Sequence, residues 1–327
     1  MRIAILGGGF AGLALTWHIL KKKPNYKVTV IDANGIGKGA SGISAGLMHP
    51  YTGIRAKKSI FSDEGFNASL ELLKIASTTV KEQVYIHNGL LRLPVDAEQE
   101  MAFKKCANEN KDTFWLSEKE CQNLVPGIKR TEGLFIEKSI SVYPEKYLQG
   151  LWLACKALGA IFVHSKIKAL SELNHYDRII TALGAGIVDF PELRTVRLNQ
   201  LKGQILQIPW PQNLEPFSCS ISSKIYLVID TSKKFCYVGS THEREFFNPE
   251  PDLKRASDEI LPHLIEFCPA FKGIEPSVCK AGIRMTSPDY QPFIKKIDDR
   301  FSVFSGLGSK GLLYHALLAQ NFVESEF

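Results

Sequence analysis

The chain opens with apolar runs and a glycine-rich stretch that together predict a strand, a turn, a helix and a second strand. The run "RIAIL" (2–6) predicts a short buried strand, and "GGGFAG" (7–12) predicts a turn. The stretch "GLALTWHILKKK" (12–23) predicts a helix, and "YKVTVIDA" (26–33) predicts the second strand. Strands that alternate with helices in this way are typical of an α/β fold with a parallel sheet.

Further along, the pattern predicts another helix–strand unit and then several antiparallel strands. The stretch "PEKYLQGLWLACKALGA" (144–160) is an amphipathic helical pattern that starts at a proline, and the apolar "IFV" (161–163) follows it. The alternating runs "GQILQI" (203–208), "KIYLVI" (224–229) and "FCYVGS" (235–240) predict antiparallel strands. The chain therefore combines an α/β part with a part rich in antiparallel strands.

The glycines of the first turn have the spacing of a dinucleotide-binding fingerprint. In Gly7-x-Gly9-x-x-Gly12 the first glycine makes the tight turn, the second lets a pyrophosphate approach, and the third lets helix pack on strand. The phosphates would lie at the helix N-terminus, where unpaired amides and the helix dipole favour negative charge. Asp32 ends the second strand 20 residues beyond Gly12, where a carboxylate accepts hydrogen bonds from ribose hydroxyls. The predicted contacts with FAD or NAD in this turn are those of Gly7, Gly9, Phe10, Ala11 and Gly12.

A second run of small residues separates these two cofactors. The stretch "GIGKGASGISAGLMHPY" (35–51) follows directly after the strand that ends in Asp32. A nicotinamide enzyme has no obvious use for such a run, whereas a flavin enzyme lays an extended cofactor across more backbone. The run therefore favours FAD. Its residues predicted to contact FAD are Ala40, Ser41, Gly42, Ala45 and Gly46.

The "GASG" segment in this run resembles the one that follows the acidic strand in the D-amino-acid-oxidase-like (DAO) family of FAD-dependent oxidoreductases. Three later segments are similar to the family in the same order: "YDRIITALGAG" (176–186), "LKGQILQI" (201–208), and residues 280–324 with the G-x-R-x-x-(T/S)-x-D-x-x-P signature. The resemblance implies more FAD contacts at the end of a further strand and in a C-terminal glycine turn. These are Ala182, Gly184, Gly306, Gly308, Ser309, Lys310, Gly311 and Leu312.

The resemblance also implies a fold class and a domain organisation. The fold is expected to be α/β, with a Rossmann-like FAD-binding domain of the glutathione-reductase/DAO type interleaved with an antiparallel-sheet α+β substrate domain. The FAD-binding domain is expected to take residues 1–75, 143–194 and 276–327, and the substrate domain residues 76–142 and 195–275.

The family oxidises a C–N bond by hydride transfer to flavin N5, and four residues of this sequence are candidates for that reaction: two by the resemblance and two by their position. Arg284 matches the family arginine that pairs bidentately with a substrate carboxylate. The motif around it favours this role over that of an arginine in a surface ion pair. Lys310 would bind the carboxylate or stabilise reduced flavin, the alternative being a solvated loop lysine. Tyr226 would contact the substrate or pack within the sheet, and His49 would handle protons or be structural.

The resemblance implies that FAD is bound without a covalent link. Some relatives tether FAD through a cysteine at the position that aligns with Gly282, and Cys279 lies three residues before that position. Tyr51, which follows the small-residue run together with His49, is expected to border the flavin.

The stretches 39–58 and 306–312 are most similar to the FAD-dependent oxidase domain of the bifunctional enzymes that make 5-methylaminomethyl-2-thiouridine in tRNA. This resemblance implies a carboxymethylaminomethyl uridine as substrate, an N-substituted glycine whose carboxylate suits an arginine. Arg55, Lys57 and Lys58 would attract a phosphate backbone without sequence specificity. With no methyltransferase half, the chain is expected to be a free-standing oxidase domain, with a separate methyltransferase as a partner.

Two alternatives remain open. The chain would act as a glycine or sarcosine oxidase, or as a D-amino-acid dehydrogenase, if its substrate is a free amino acid. It would be a non-catalytic FAD-binding subunit if no amine reduces the flavin, because a fold does not fix a function.

Composition adds limits on metals, redox state and location. The formal net charge of +6 is compatible with an anionic cofactor or a nucleic acid. The seven scattered cysteines contain no C-x-x-C, and none of the eight histidines has a metal-ligand spacing, so a reducing compartment and no metal site are expected. No apolar run reaches the roughly 18 to 20 residues of a membrane span. The expected location is the cytoplasm.

Overall fold

The computed structural model describes residues 1–230 and 232–327 of the chain. Its strands are Arg2–Leu6 (β1), Lys27–Asp32 (β2), Leu47–Met48 (β3), Tyr85–His87 (β4), Leu90–Arg92 (β5), Thr113–Leu116 (β6), Gly133–Ile136 (β7), Ile140–Val142 (β8), Ile161–His164 (β9), Arg178–Thr181 (β10), Asn199–Pro209 (β11), Ser220–Ser222 (β12), Tyr226–Ile229 (β13), Phe235–Gly239 (β14), Val278–Thr286 (β15), Phe293–Lys296 (β16) and Phe301–Ser305 (β17). Its α-helices are Phe10–Lys22 (α1), Ala40–Ile43 (α2), Ser62–Val80 (α3), Ala97–Glu109 (α4), Glu118–Leu124 (α5), Pro144–Ala157 (α6), Leu253–Phe267 (α7) and Gly311–Glu326 (α8). None of these helices is long and apolar enough to cross a membrane.

A six-stranded sheet in the order β16-β17-β10-β1-β2-β9 forms one half of the molecule. Its strands are parallel except β16, which runs antiparallel to β17. Alternate side chains of β1 bury themselves on opposite faces, because successive residues of a strand point to opposite sides. Ile3 and Ile5 pack with α1, α3, α6 and α8, while Ala4 and Leu6 pack on the other face. The predicted strand–turn–helix–strand start is therefore confirmed.

An eight-stranded sheet in the order β15-β11-β14-β13-β12-β5-β7-β6 forms the other half. Neighbouring strands of this sheet pair antiparallel, except that β12 and β5 pair parallel with each other. One face packs on α7 through a core that includes Leu206, Leu227 and Ile260. The three alternating runs of the sequence are β11, β13 and β14, so the predicted α/β fold with a second, largely antiparallel sheet is confirmed.

A three-stranded sheet in the order β3-β8-β4 brings together segments that are far apart in the sequence. The division into two domains at residues 75, 142, 194 and 275 stays a prediction. Strand β15 begins just beyond the last of these boundaries, and it pairs with β11 in the eight-stranded sheet. In the structure β15 also approaches α2, so it lies where the two halves of the molecule meet.

Candidate active site

A cavity of about 480 Å³ opens between the six-stranded and eight-stranded sheets. The glycine turn before α1, the small-residue run around α2, the strands of the larger sheet and the turn before α8 all contribute to its wall. The predicted site residues that line it are Gly9, Phe10, Ala11, Ala40, Ser41, Ala45, Gly46, His49, Ala182, Gly184, Tyr226, Arg284, Gly306, Gly308, Ser309, Lys310, Gly311 and Leu312. The predicted residues Gly7, Gly12, Asp32 and Gly42 lie behind this lining.

The first glycine turn is packed so closely that two of its positions admit no side chain. Gly7 has φ +113°, and a Cβ there would lie 2.2 Å from the carbonyl oxygen of Ala182. A Cβ at Gly12 would lie 1.9 Å from the carbonyl oxygen of Gly7. This packing holds the first turn of α1 at the cavity wall, where the positive end of the helix dipole favours an anion.

Asp32 supports the glycine turn from behind. Its carboxylate accepts hydrogen bonds from the backbone N–H groups of Gly8 at 2.8 Å, Asn34 at 2.8 Å and Gly35 at 3.0 Å. A carboxylate offers about four acceptor positions. A hydrogen bond from a ribose hydroxyl to Asp32 stays a prediction. It would use the acceptor position of the carboxylate that the three amides do not occupy.

The second small-residue run is shaped by the same kind of close packing. A Cβ at Gly42 would lie 2.0 Å from the carbonyl oxygen of Gly37, and one at Gly46 would lie 1.9 Å from that of Val142. Ser41 accepts a hydrogen bond through Oγ from the backbone N–H of Phe10 at 3.2 Å. The two small-residue runs thus meet and line the same part of the cavity, mostly with glycine, alanine and serine residues.

This wall fits an extended dinucleotide such as FAD, because most of the residues that line it along the two runs are small. No cysteine lies among the described residues that line the cavity, so none of these residues could link FAD through a thioether. Cys279 instead directs Sγ toward Oε1 of Gln204 at 3.6 Å. A Cβ at Gly282 would approach Cα of Ala40 at 3.2 Å, so β15 runs close against α2 there. Non-covalent binding remains the expectation.

Arg284 lies on β15 with its guanidinium at the cavity wall and little to neutralise it. Within residues 1–230 and 232–327, no carboxylate oxygen comes within 4 Å of its side-chain nitrogens. Its Nε is buried without a hydrogen-bond partner, and Nη2 donates only a long contact of 3.5 Å to Oγ of Ser240. Burial lowers the pKa of Arg284 from its ordinary value, which the nearby Tyr226 opposes. This guanidinium is free to pair with a bound carboxylate.

Tyr226 lies on β13 close to Arg284. Burial raises the pKa of its hydroxyl to about 12, while the charge of Arg284 and a hydrogen bond with Ser240 act in the opposite direction. The hydroxyl is therefore protonated at neutral pH and able to donate a hydrogen bond into the cavity. A Cβ at Gly239 on the next strand would lie 3.2 Å from the Tyr226 Oη, so a glycine there gives the ring its space.

His49 and Lys310 both line the cavity. Burial and then the charge of Arg92 lower the pKa of His49 to about 3, so its imidazole is neutral. Its Nδ1 is buried without a hydrogen-bond partner. Lys310 precedes α8 and donates through Nζ to the carbonyl oxygen of Tyr290 at 3.2 Å. Tyr51, in contrast, is fully buried outside the lining and donates its hydroxyl to Asp112.

The wall also carries polar residues that the sequence does not predict, among them Arg92, Ser240 and His242. Arg92 has a recognisable signal, since it is one charged residue inside the apolar run "GLLRLPV" (89–95). Ser240 and His242 follow the alternating strand β14 and carry no signal of their own. Only the pairing of β14 with β11 and β13 brings them to the cavity.

The model of the DAO family, described as FAD dependent oxidoreductase, matches residues 2–325, nearly the whole chain. The chain therefore belongs to this family of FAD-dependent oxidoreductases. The family resemblance expected from the sequence is confirmed, and so is FAD as the cofactor.

The chain is 23% identical over 331 residues to the tRNA 5-methylaminomethyl-2-thiouridine biosynthesis bifunctional protein MnmC of Actinobacillus pleuropneumoniae serotype 5b (strain L20). That match covers 92% of this chain and 48% of the relative, so the chain spans about half the length of the curated relatives it matches.

Two solved structures share the fold. Glycine oxidase from Geobacillus kaustophilus superposes with a TM-score of 0.85 at 18% identity, covering 100% of this chain and 95% of that one. Iminodiacetate oxidase (IdaA) from Chelativorans sp. BNC1 superposes with a TM-score of 0.79 at 18% identity, covering 100% and 96%.

Proposed function

We propose that this FAD-dependent oxidoreductase oxidises the C–N bond of an N-substituted glycine or a related amino-acid unit. The observation that carries the proposal is Arg284, a largely buried guanidinium at the cavity wall with no carboxylate partner in the described part of the chain. A buried unpaired cation is costly, and a bidentate carboxylate is the partner that its planar fork suits.

FAD supplies the electron acceptor: when bound, it takes the hydride equivalent that leaves the carbon next to the amine. Loss of that hydride from the neutral amine leaves a C=N iminium ion that keeps the amine proton, and water then cleaves this ion to an ammonium and a carbonyl compound. For an N-substituted glycine oxidised at the glycine carbon, the carbonyl product is glyoxylate. The protein has to bind the carboxylate, orient that carbon and keep the nitrogen unprotonated.

The residues of the cavity suit those tasks. Arg284 would hold the carboxylate by charge-assisted hydrogen bonds, and Tyr226 would add a donor from its protonated hydroxyl. The positive charge of Arg284 also lowers the pKa of a nearby amine, which favours the neutral form that loses hydride. His49 is too weak a base at neutral pH to hold a proton, so it would contribute hydrogen bonds as a neutral ring.

Within this proposal, a carboxymethylaminomethyl uridine carried by tRNA is the preferred substrate. Its support is the similarity to the tRNA 5-methylaminomethyl-2-thiouridine biosynthesis proteins MnmC, together with a substrate unit that is itself an N-substituted glycine. A separate methyltransferase would then act on the product. The basic residues Arg55 and Lys58 add little free positive charge for binding tRNA, because Arg55 pairs with Glu98 and Lys58 pairs with Asp63.

The test is anaerobic reduction of the purified FAD-loaded protein, followed at the flavin absorbance band. The panel contains tRNA bearing carboxymethylaminomethyl uridine, the same tRNA without the modification, glycine, sarcosine and several D-amino acids. Bleaching by the modified tRNA alone supports the preferred substrate, whereas bleaching by a small amine alone assigns the protein to free amino acids. Bound FAD that no amine reduces would contradict the proposal and favour a non-catalytic role.

A further inference from the structure

One face of the eight-stranded sheet forms a continuous row of residues along the cavity wall. Ile205 on β11 lies opposite Gly239 on β14, which lies opposite Tyr226 on β13. The row continues from Tyr226 to Ser222 on β12, and from Ser222 to Arg92 on β5. All five residues line the cavity. Arg92 is thus two strands beyond Tyr226, on the side away from β15 and Arg284.

Arg92 is a second buried cation with no acidic partner. It is 9% exposed, and no carboxylate oxygen lies within 4 Å of its guanidinium in the described ranges 1–230 and 232–327. It donates to the carbonyl oxygens of Tyr51 at 3.1 Å and Gly53 at 2.9 Å, and its guanidinium stacks over the Phe103 ring at 4.8 Å. These contacts orient the group but leave its charge unneutralised.

The charge is present at neutral pH and acts on the cavity. Burial lowers the pKa of Arg92 to about 10, so the guanidinium stays protonated at neutral pH. The same charge contributes to the lowered pKa of His49, whose Nδ1 is buried and unpartnered at the same wall. Two of the five N–H groups of a guanidinium are used by the carbonyls, which leaves donors for a ligand.

We propose that Arg92, with His49 beside it, forms a second anion subsite that binds an oxyanion on the far end of the amine substrate. The inference rests on the proposed function, because it assumes that Arg284 holds the carboxylate of the glycine unit. It narrows the substrate class to N-substituted glycines that carry a second anionic group, such as a phosphate or a second carboxylate.

The sheet geometry sets the reach that such a substrate needs. Neighbouring strands lie about 4.8 Å apart, so Arg92 is displaced about 10 Å from Tyr226 along the row. A glycine unit held near Tyr226 and Arg284 would therefore need a substituent of several bonds before its second anion meets Arg92. Glycine and sarcosine are too short to do this.

The test compares N-alkylglycines of increasing length that end either in a phosphonate or in a methyl group. With the wild-type holoenzyme, kcat/KM should favour the phosphonate member once the substituent spans about 10 Å, and not at the shortest length. In Arg92→Gln that preference should fall by roughly ten- to a hundredfold, and Arg92→Lys should keep part of it. The exposed Arg130→Gln is the matched control and should keep the wild-type preference.

A loss in Arg92→Gln that is equal for phosphonate and methyl substrates would overturn the proposal, because it would show that Arg92 only holds the loop at Tyr51 and Gly53. A wild-type enzyme with no preference at any length would overturn it as well.

A binding measurement separates this proposal from the proposed function. The same two ligand series, with a thioether sulfur in place of the amine nitrogen, cannot be oxidised at a C–N bond, and calorimetry gives their Kd. If no amine reduces the flavin, tighter binding of the long phosphonate thioether in wild type than in Arg92→Gln would still support the subsite. Equal Kd values would overturn it.

Discussion

Gly203 on β11 lies directly against the guanidinium of Arg284 on β15. A Cβ at residue 203 would come within 2.6 Å of Nη2 and 3.2 Å of Cζ. The bare backbone at this position therefore sets where the guanidinium lies. The atoms that would be displaced are the end of a flexible side chain, so the sheet itself need not move.

Gly203→Ala should consequently fold and retain FAD while it misplaces Arg284. We expect kcat/KM for a carboxylate substrate to fall roughly ten- to a hundredfold, because small displacements of a positioning group are costly to catalysis. Steady-state kinetics and the flavin-to-protein absorbance ratio measure the two effects separately. Gly186→Ala is the control, since its Cβ would make an ordinary contact at 3.8 Å with Leu183. Unchanged kinetics in Gly203→Ala would show that Arg284 does not serve the reaction from this position.

Gly12→Ala should lose FAD. Its Cβ would lie 1.9 Å from the carbonyl oxygen of Gly7, a backbone atom that can move only with the turn and the start of α1. Such overpacking typically costs about 1–3 kcal/mol and here falls on the proposed pyrophosphate site. The flavin-to-protein ratio after purification and the far-UV circular dichroism spectrum report FAD and fold. Gly39→Ala, where nothing lies within 4 Å of the added Cβ, should retain FAD. Full FAD content in Gly12→Ala would contradict the assignment of this turn.

Glu243 holds a buried polar network together. Its carboxylate accepts hydrogen bonds from Gln204 Nε2 at 2.8 Å and Thr241 Oγ1 at 2.9 Å, and it pairs with Arg255 at 3.3 Å. Glu243→Ala would leave the buried donors of Gln204 and Thr241 unsatisfied, and we expect it to lower the free energy of unfolding by about 3 kcal/mol. Denaturant unfolding measures this, with the exposed Glu245→Ala as a control expected to change little. Equal stability of the two variants would rule the network out as a major contributor.

His315 makes the stability of the fold depend on pH. Burial lowers its pKa to about 4, and its imidazole pairs with Tyr147 Oη at 2.6 Å and with the Gly311 carbonyl at 3.0 Å. An unfolded histidine has a pKa near 6.5. Between about pH 6.5 and 4 the unfolded state binds more protons, so the free energy of unfolding rises with pH, and the contribution of His315 is lost as pH falls through this window.

His315→Gln should therefore flatten the dependence of Tm on pH between 6.5 and 4.5. One proton corresponds to about 1.4 kcal/mol per pH unit in this range. Thermal unfolding at several pH values checks it, and the exposed His175→Gln should keep the wild-type slope. An identical slope in His315→Gln and wild type would contradict a neutral, buried His315.

The sequence predicts the parts of this site that depend on local pattern. The spacing of Gly7, Gly9 and Gly12 and the small-residue run predict a cofactor wall, because close backbone packing at Gly7 and Gly12 admits no side chain there. The segment "KGQ" (202–204) belongs to a stretch that resembles the family, but the sequence does not say what each of its residues contacts. Those contacts follow from the pairing of β11 with its neighbouring strands. Lys202 Nζ binds the carbonyls of Asn248 and Glu250, Gly203 makes room for Arg284, and Gln204 joins Glu243.

The place of Arg92 at the cavity could likewise not be predicted from the sequence. Its place at the cavity depends on the row of pairs from β11 to β5, and strand order is not encoded in the alternation of any one strand. For Asp32, the sequence predicts its position at the end of β2. Its three hydrogen bonds from backbone amides depend on the conformation of the loops around it, which the sequence pattern does not give.

The most direct test of the central claim is the anaerobic rate of flavin reduction by an N-substituted glycine and by its carboxamide, in wild type and in Arg284→Ala. If Arg284 binds the substrate carboxylate, the acid bleaches the wild-type flavin and the amide does so far more slowly. Arg284→Ala should retain FAD but react with the acid roughly a hundredfold more slowly, which matches the loss of a charge-assisted bidentate contact. Equal rates for acid and amide in wild type, or full activity in Arg284→Ala, would contradict the account.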